Sequence, residues 1–148
     1  MLVGSAEQMP SGVSEVPLAR VADYRLVIAP GFRHLIDRWA VPRGVELKYE
    51  MEFDSVAMIK EMIMRGLGVS IMPYAIVHKE ATAHTLAVLP IVEPVMTRDL
   101  VLAVNSRRPT SAAMKAAVEV ITEKLRDIPV RPPSGPRLQV VAERREIR

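Results

Sequence analysis

Apolar and polar positions change period several times between residues 24 and 128, and each change marks an element boundary. From Val45 to Phe53 the odd positions are apolar, and Glu46, Lys48, Glu50 and Glu52 take the even ones. This period of two predicts a strand with one buried and one charged face, suited to a sheet edge. Upstream, the short run Arg25 to Ala29 predicts a strand stopped by Pro30 and Gly31. Phe32, Leu35, Ile36 and Trp39 then fall at the i, i+3, i+4, i+7 spacing of a helix face, and Pro42 and Gly44 end it. Downstream, Asp54 and Ser55 offer oxygens to the unpaired N–H groups of a helix start. Val56, Ile59, Ile63 and Leu67 recur on one side of that helix, and Gly66 and Gly68 permit a left-handed exit. Val69 to Met72 is extended up to Pro73, and a short helix is expected around residues 74 to 80.

Leu86 to Val92 is extended, with Pro90 confining it to an edge or irregular pairing. Leu100 to Val104 is apolar on both faces, the pattern of a strand buried within a sheet. Thr110 or Ser111 caps a last helix, along which Met114, Ala117, Val118, Ile121, Leu125 and Ile128 form a stripe. No internal repeat appears. Strands alternating with helices define an α/β fold.

Composition narrows the class. The length of 148 residues and 49% hydrophobic content suit one domain. With no cysteine, disulfides and thiolate metal sites are excluded. The start lacks a signal-peptide layout, from which a cytoplasmic location is expected. No apolar run approaches the roughly 20 residues of a membrane-spanning helix, so no membrane partner is expected. The net charge of +3 comes from the end of the chain, where Arg131, Arg137, Arg144, Arg145 and Arg148 face Glu143 and Glu146. Residues 1–128 are balanced, which argues against nucleic acid as their partner. Pro129, Pro132, Pro133 and Pro136 disfavour regular structure in that Pro/Arg-rich tail, which is read as a flexible extension.

The segment from Asp54 to Pro73, D-S-V-A-M-I-K-E-M-I-M-R-G-L-G-V-S-I-M-P, resembles the most recognisable stretch of LysR-type effector-binding domains, where a helix runs through G-x-G into a strand ending in Pro. The flanks follow the same order. Leu18 to Pro30 is similar to the family's preceding strand, Phe32 to Trp39 to its next helix, Thr97 to Asn105 to its return strand and Thr110 to Ile128 to its final helix. The resemblance covers about residues 1 to 128. It implies a type II periplasmic-binding-protein-like α/β fold: one complete subdomain over 18–96, plus the return strand and C-terminal helix of a second over 98–128. Residues 2 to 5 are similar to the tail of the first crossing strand. The family's winged helix-turn-helix and linker helix have no counterpart here, so DNA is expected to be reached only through a domain missing from this chain. The resemblance further implies a small organic effector, an acid by expectation, held between subdomains, and a homodimer or homotetramer of the parent protein. An isolated chain is then one jaw of a clamp and is expected to bind an effector poorly.

Two loops and one strand end are the candidate ligand contacts. Pro30, Gly31, Phe32 and Arg33 sit where a strand meets a helix N-terminus, the edge at which open α/β sheets hold ligands and where helix N–H groups attract anions. Gly31 permits close approach and Phe32 an apolar wall, and Arg33 suits bidentate pairing with a carboxylate. The alternative is that Phe32 is core and Arg33 solvated. Asp54, Ser55 and Val56 begin the next helix, where Ser55 either meets a ligand or simply caps. Ile71 and Met72 end a strand on the same edge, although methionine commonly fills core gaps. Met58, Met62 and Met64 are core packing or a partner surface.

No catalytic set, cofactor motif or metal spacing emerges. His34 and Asp37 share a helix face without a third ligand, and His78 and His84 lie apart. Gly66-Leu67-Gly68 opens a strand, where a dinucleotide loop would open a helix, and no G-x-S-x-G occurs. Glu46, Glu50 and Glu52 form a solvated strand face, not an acid/base pair. The function expected is a sensor module, not an enzyme. A solute-binding protein or fold-related enzyme would need a secretion signal or a catalytic set that the sequence does not display.

Overall fold

Five strands spread between residues 2 and 89 meet in two ladders joined by one bridge into a mixed sheet. The computed structural model describes residues 1–98, 101–104 and 111–129. Two units, Met1–Thr97 and Arg98–Arg148, are distinguished by their internal contacts.

In the first unit β1 (Leu2–Gly4) is followed by β2 (Val16–Pro17), α1 (Leu18–Val21), β3 (Arg25–Ile28), α2 (Pro30–Ala40), a 3-10 turn (Val41–Arg43) and β4 (Lys48–Glu52). Next come α3 (Val56–Met64), β5 (Ser70–Ile71), α4 (Tyr74–Thr82), β6 (Ala87–Leu89) and β7 (Ile91–Val92). β3 and β4 pair in parallel, with a register shift between Leu26 and Val27. β1 lies between β5 and β6, antiparallel to both. A single parallel bridge from Leu26 to Val69 joins the two ladders, through Val27 N–H to Val69 O at 2.8 Å and Val69 N–H to Arg25 O at 3.0 Å. β2 pairs with β7 in parallel.

Alternation along the strands divides the core between the two faces of this sheet. Leu2, Leu26, Ile28 and Ile71 fall in one buried cluster with Leu18 and Val21 of α1 and Ile36 and Ala40 of α2. Val3, Val27 and Met72 fall in the other with Ile59 and Ile63 of α3 and Tyr74 and Val77 of α4. Helices therefore cover both faces, as buried mixed or parallel strands require.

The alternation over 45–53 is reproduced residue by residue: Val45, Leu47, Tyr49, Met51 and Phe53 are half-buried and the charged residues between them exposed. Ser55 caps α3 by accepting from Met58 N–H at 3.3 Å, whereas Asp54 is exposed and takes no part in the cap. Gly66 and Gly68 have φ of 72° and 140°. Leu67 departs from expectation, being 50% exposed. The helix stops at Met64, so the i+4 step from Ile63 to Leu67 no longer follows a helical path. Pro90 splits the extended run 86–92 into β6 and β7.

In the second unit α5 (Ala112–Arg126) is capped by Ser111, whose Oγ accepts from Met114 N–H at 3.2 Å. None of its residues is buried, and Met114 and Ile121 of the anticipated stripe are exposed. The buried strand expected over Leu100 to Val104 is corrected: Leu100 lies outside the described residues, Val101–Val104 form no strand, and Val101 is 64% exposed. An apolar run becomes a buried strand only where ladder partners are available. Among the described residues no strand pairs with this one. The sequence-based placement of residues 129–148 as a tail falls, beyond Pro129, outside the described residues.

Candidate functional site

The parallel β3–β4 pair brings the two candidate loops to one sheet edge. Ile28 is in register with Glu52, and Phe53 N–H donates to Ile28 O at 3.0 Å. The chain leaves β3 through Ala29 and Pro30 beside the point where it leaves β4 through Asp54 and Ser55. Val69, at the start of the next extended segment, bridges Leu26 in parallel, so the end of that segment points to the same edge. Met72 N–H there donates to Met1 O at 3.1 Å.

The two helix starts at this edge differ. α2 begins with Pro30 at its first position, has no side-chain cap, and carries no acidic residue in its first turn. Phe32 and Arg33 N–H both donate to Ala29 O, at 2.9 and 3.1 Å. α3 has the Ser55 cap, and Ile59 N–H donates to Ser55 O at 3.1 Å. The N–H groups of Val56 and Ala57 belong to the first turn, where a helix supplies no acceptor of its own. Gly31, Asp54 and Ser55 are exposed, and Pro30 and Val56 half-buried. Phe32 is partly buried against both core clusters, so its ring anchors α2 as well as bordering the edge.

Ile71 and Met72 are 4% and 3% exposed and sit in opposite core clusters. Strand alternation turns one side chain to each face, and packed helices cover both. Neither presents a side chain at the surface, and both pack in the core. Met58 and Met64 are exposed on α3, while Met62 packs against the core.

Arg33 is engaged within the chain. Its Nη1 donates to Glu52 Oε1, its Nε lies 3.7 Å from Asp37 Oδ2, and its guanidinium stands 4.5 Å from the centre of the Tyr49 ring. Tyr49 OH donates to Asp37 Oδ1. The Glu52 hydrogen bond, with the neighbouring carboxylates, raises the Arg33 guanidinium above its ordinary range. Burial, then the bond to Asp37, pushes the Tyr49 phenol up so that it stays a neutral donor. This four-residue cluster was not anticipated. The i, i+4 spacing of Arg33 and Asp37 was a visible signal, whereas the Glu52 and Tyr49 contacts depend on the parallel register.

Farther along β4, Glu50 lies 3.7 Å from Arg25. Asp37 is committed to Tyr49 and Arg33, His78 Nδ1 contacts Ala75 O at 3.0 Å, and no group of three or more His, Cys, Asp or Glu among the described residues could hold a metal ion. An open cavity of about 400 Å³ lies at the opposite end of β3, bordered by Gln8, Tyr24, Arg25, Leu67 and Gly68. No helix among the described residues is long and apolar enough to cross a membrane.

A mixed sheet with helices on both faces and loops at the carboxyl ends of parallel strands is an α/β architecture of periplasmic-binding-protein-like type. The family profile described as LysR substrate binding domain matches residues 1–126, and the chain belongs to that family.

Solved structures share the fold. The regulatory domain of Synechocystis PCC6803 CcmR, solved in complex with 2-PG, superposes with a TM-score of 0.68 at 18% identity, covering 83% of this chain and 61% of that one. The effector-binding domain of QuiR in complex with shikimate gives 0.65 at 21% identity, covering 85% and 60%. The regulatory domain of N. meningitidis NMB2055 (MetR), a LysR family regulator, gives 0.66 at 10% identity, covering 87% and 63%. The chain thus spans about three fifths of the length of these relatives. No curated protein matches it in sequence.

Proposed function

We propose that this chain senses a small organic anion for a LysR-type transcription regulator, with the ligand seated on the C-terminal edge of β3 and β4 as one wall of a two-walled site. The observation that carries this reading is the meeting of the Pro30–Phe32 turn and the Asp54–Val56 helix start at a single edge, fixed by the Ile28–Glu52 register. Gly31 allows a ligand close to the backbone. Phe32 offers a ring edge, and Ser55 with the first-turn N–H groups of α3 meets a carboxylate or phosphate. CcmR and QuiR domains, of the same fold, hold 2-PG and shikimate respectively. In this reading the ligand undergoes no chemistry. It favours one arrangement of a dimeric or tetrameric parent protein over another by its differential affinity for the two, and DNA contact belongs to a separate domain.

Backbone amide NMR of the chain, titrated with aliphatic and aromatic carboxylic acids including shikimate, tests the reading even at millimolar affinity. Shifts concentrated at Gly31, Phe32, Ser55 and Val56 are expected, and Gly31→Ala weakens them by placing a methyl against the ligand. Shifts confined to the Gln8–Arg25 cavity, or identical with the corresponding neutral amides, would refute it.

A further inference from the structure

α2 starts on Pro30, but Ala29 provides no side-chain cap and no acid lies in the first turn. α3 next to it has its serine cap. What α2 has is Arg33, at the end of its first turn, tied across to β4. Glu52 and Tyr49 lie on β4, on opposite faces by alternation, yet the guanidinium meets both, donating to the carboxylate of one and stacking on the ring of the other. Asp37, one helical turn farther along, completes the circuit by accepting from Tyr49 OH. Arg33 and Glu52 side chains are 43% and 33% exposed, so the group is partly withdrawn from water. Isolated surface ion pairs contribute little, but networks with good Arg geometry contribute more.

We infer that Arg33, Asp37, Tyr49 and Glu52 form a positioning cluster that fastens the first turn of α2, which has no side-chain cap, to β4. Arg33 acts through the Pro30–Phe32 turn and does not meet the ligand's charge itself. This rests on the proposed function insofar as that turn is a ligand wall. Two carboxylates against one guanidinium leave the cluster with a surplus negative charge, which sets Arg33 apart from a free cation available to an anionic ligand.

The test is NMR-detected hydrogen exchange on the 148-residue chain with Glu52→Gln, which weakens the ion pair, and Tyr49→Phe, which keeps the ring and removes the donor. Both are expected to speed exchange at Phe32 and Arg33 N–H by about tenfold while leaving Ile59 N–H, bonded to Ser55 O, unchanged. Arg33→Lys keeps the charge without the planar fork and is expected to behave like Glu52→Gln. Unchanged exchange at Phe32 and Arg33 in both variants would overturn the inference, as would an equal rise at Ile59, which signals general loss of stability. A titration that fails while the exchange effect persists sinks the ligand reading alone; the converse sinks the cluster's role alone.

Discussion

Substituting alanine for Gly68 and for Gly66 separates two costs that the chain combines in one short turn. At Gly66, φ is 72° and a Cβ would meet nothing within 4 Å, so Gly66→Ala incurs only the left-handed backbone penalty, about 1–2 kcal/mol. At Gly68, φ is 140°, and a Cβ would lie 2.9 Å from the Arg25 carbonyl oxygen and 2.9 Å from Val27 Cγ2. That oxygen cannot retreat cheaply. It accepts from Val69 N–H at 3.0 Å in the single bridge that joins the β3–β4 pair to the rest of the sheet. Relieving the overlap adds about 1–3 kcal/mol of overpacking cost to a backbone penalty at least as large as that of Gly66. The total for Gly68→Ala is about 2–5 kcal/mol, a large part of the stability of an ordinary domain. Urea unfolding followed by circular dichroism and by Trp39 fluorescence gives both midpoints, with slopes compared to confirm that the unfolded states are alike. If Gly68→Ala costs within about 0.5 kcal/mol of Gly66→Ala, the close approach of the two backbones is not what requires glycine there.

Ser55→Ala removes the α3 cap and is expected to cost about 1 kcal/mol in the same unfolding assay, with Ser55→Asp retaining most of it. Ile63→Ala, at a fully buried position between α3 and the sheet, is expected to cost about 2–5 kcal/mol. A loss below about 1 kcal/mol would mean that α3 does not pack there as described. Burial, the largest single influence, would raise the Glu80 carboxyl, but the hydrogen bond from Lys60 at 2.7 Å, a backbone hydrogen bond and the charges of Lys60 and His78 together outweigh it, and the net shift is downward from 4.5. A carboxyl lowered on folding stabilises the protein above its unfolded value and loses that contribution as pH falls through the folded one. Glu80→Gln is therefore expected to flatten the acid side of the stability profile below about pH 5, and an unaltered acid limb would contradict the pairing.

Local rules made much of the first unit legible. Strict alternation from Val45 to Phe53 predicted the burial of each residue, Ser55 announced its helix by cap chemistry, and Gly66 and Gly68 marked the turn that leads into β5. The two loops of the candidate site were legible for the same reason: each is a strand end followed by a helix start. What failed depended on partners that periodicity does not specify. Leu100 to Val104 carries the composition of a buried strand, yet its described residues have no ladder neighbour. The stripe on α5 is regular, yet none of it is fully buried, and Met114 and Ile121 are exposed. Which way Ile71 and Met72 face was likewise not legible, since their side chains turn into the core and being near an edge does not decide that. The partners of Arg33 come from a strand about twenty residues away, joined through a register that no local pattern encodes.

The position of β1 shapes the order of events during synthesis. Leu2 pairs with Ile71 on one side and Leu89 on the other, so the middle strand of this sheet leaves the ribosome first and its flanking strands among the last. At 5–20 residues per second, roughly 4 to 17 s separate the emergence of Leu2 from that of Leu89. The β3–α2–β4 segment faces no such delay, since Arg25 and Glu52 belong to one continuous crossover unit. The loops of the candidate site can thus be framed on the nascent chain before β5 and β6 reach β1. During that interval the apolar side chains of Leu2 and Val3 await the strands that flank them.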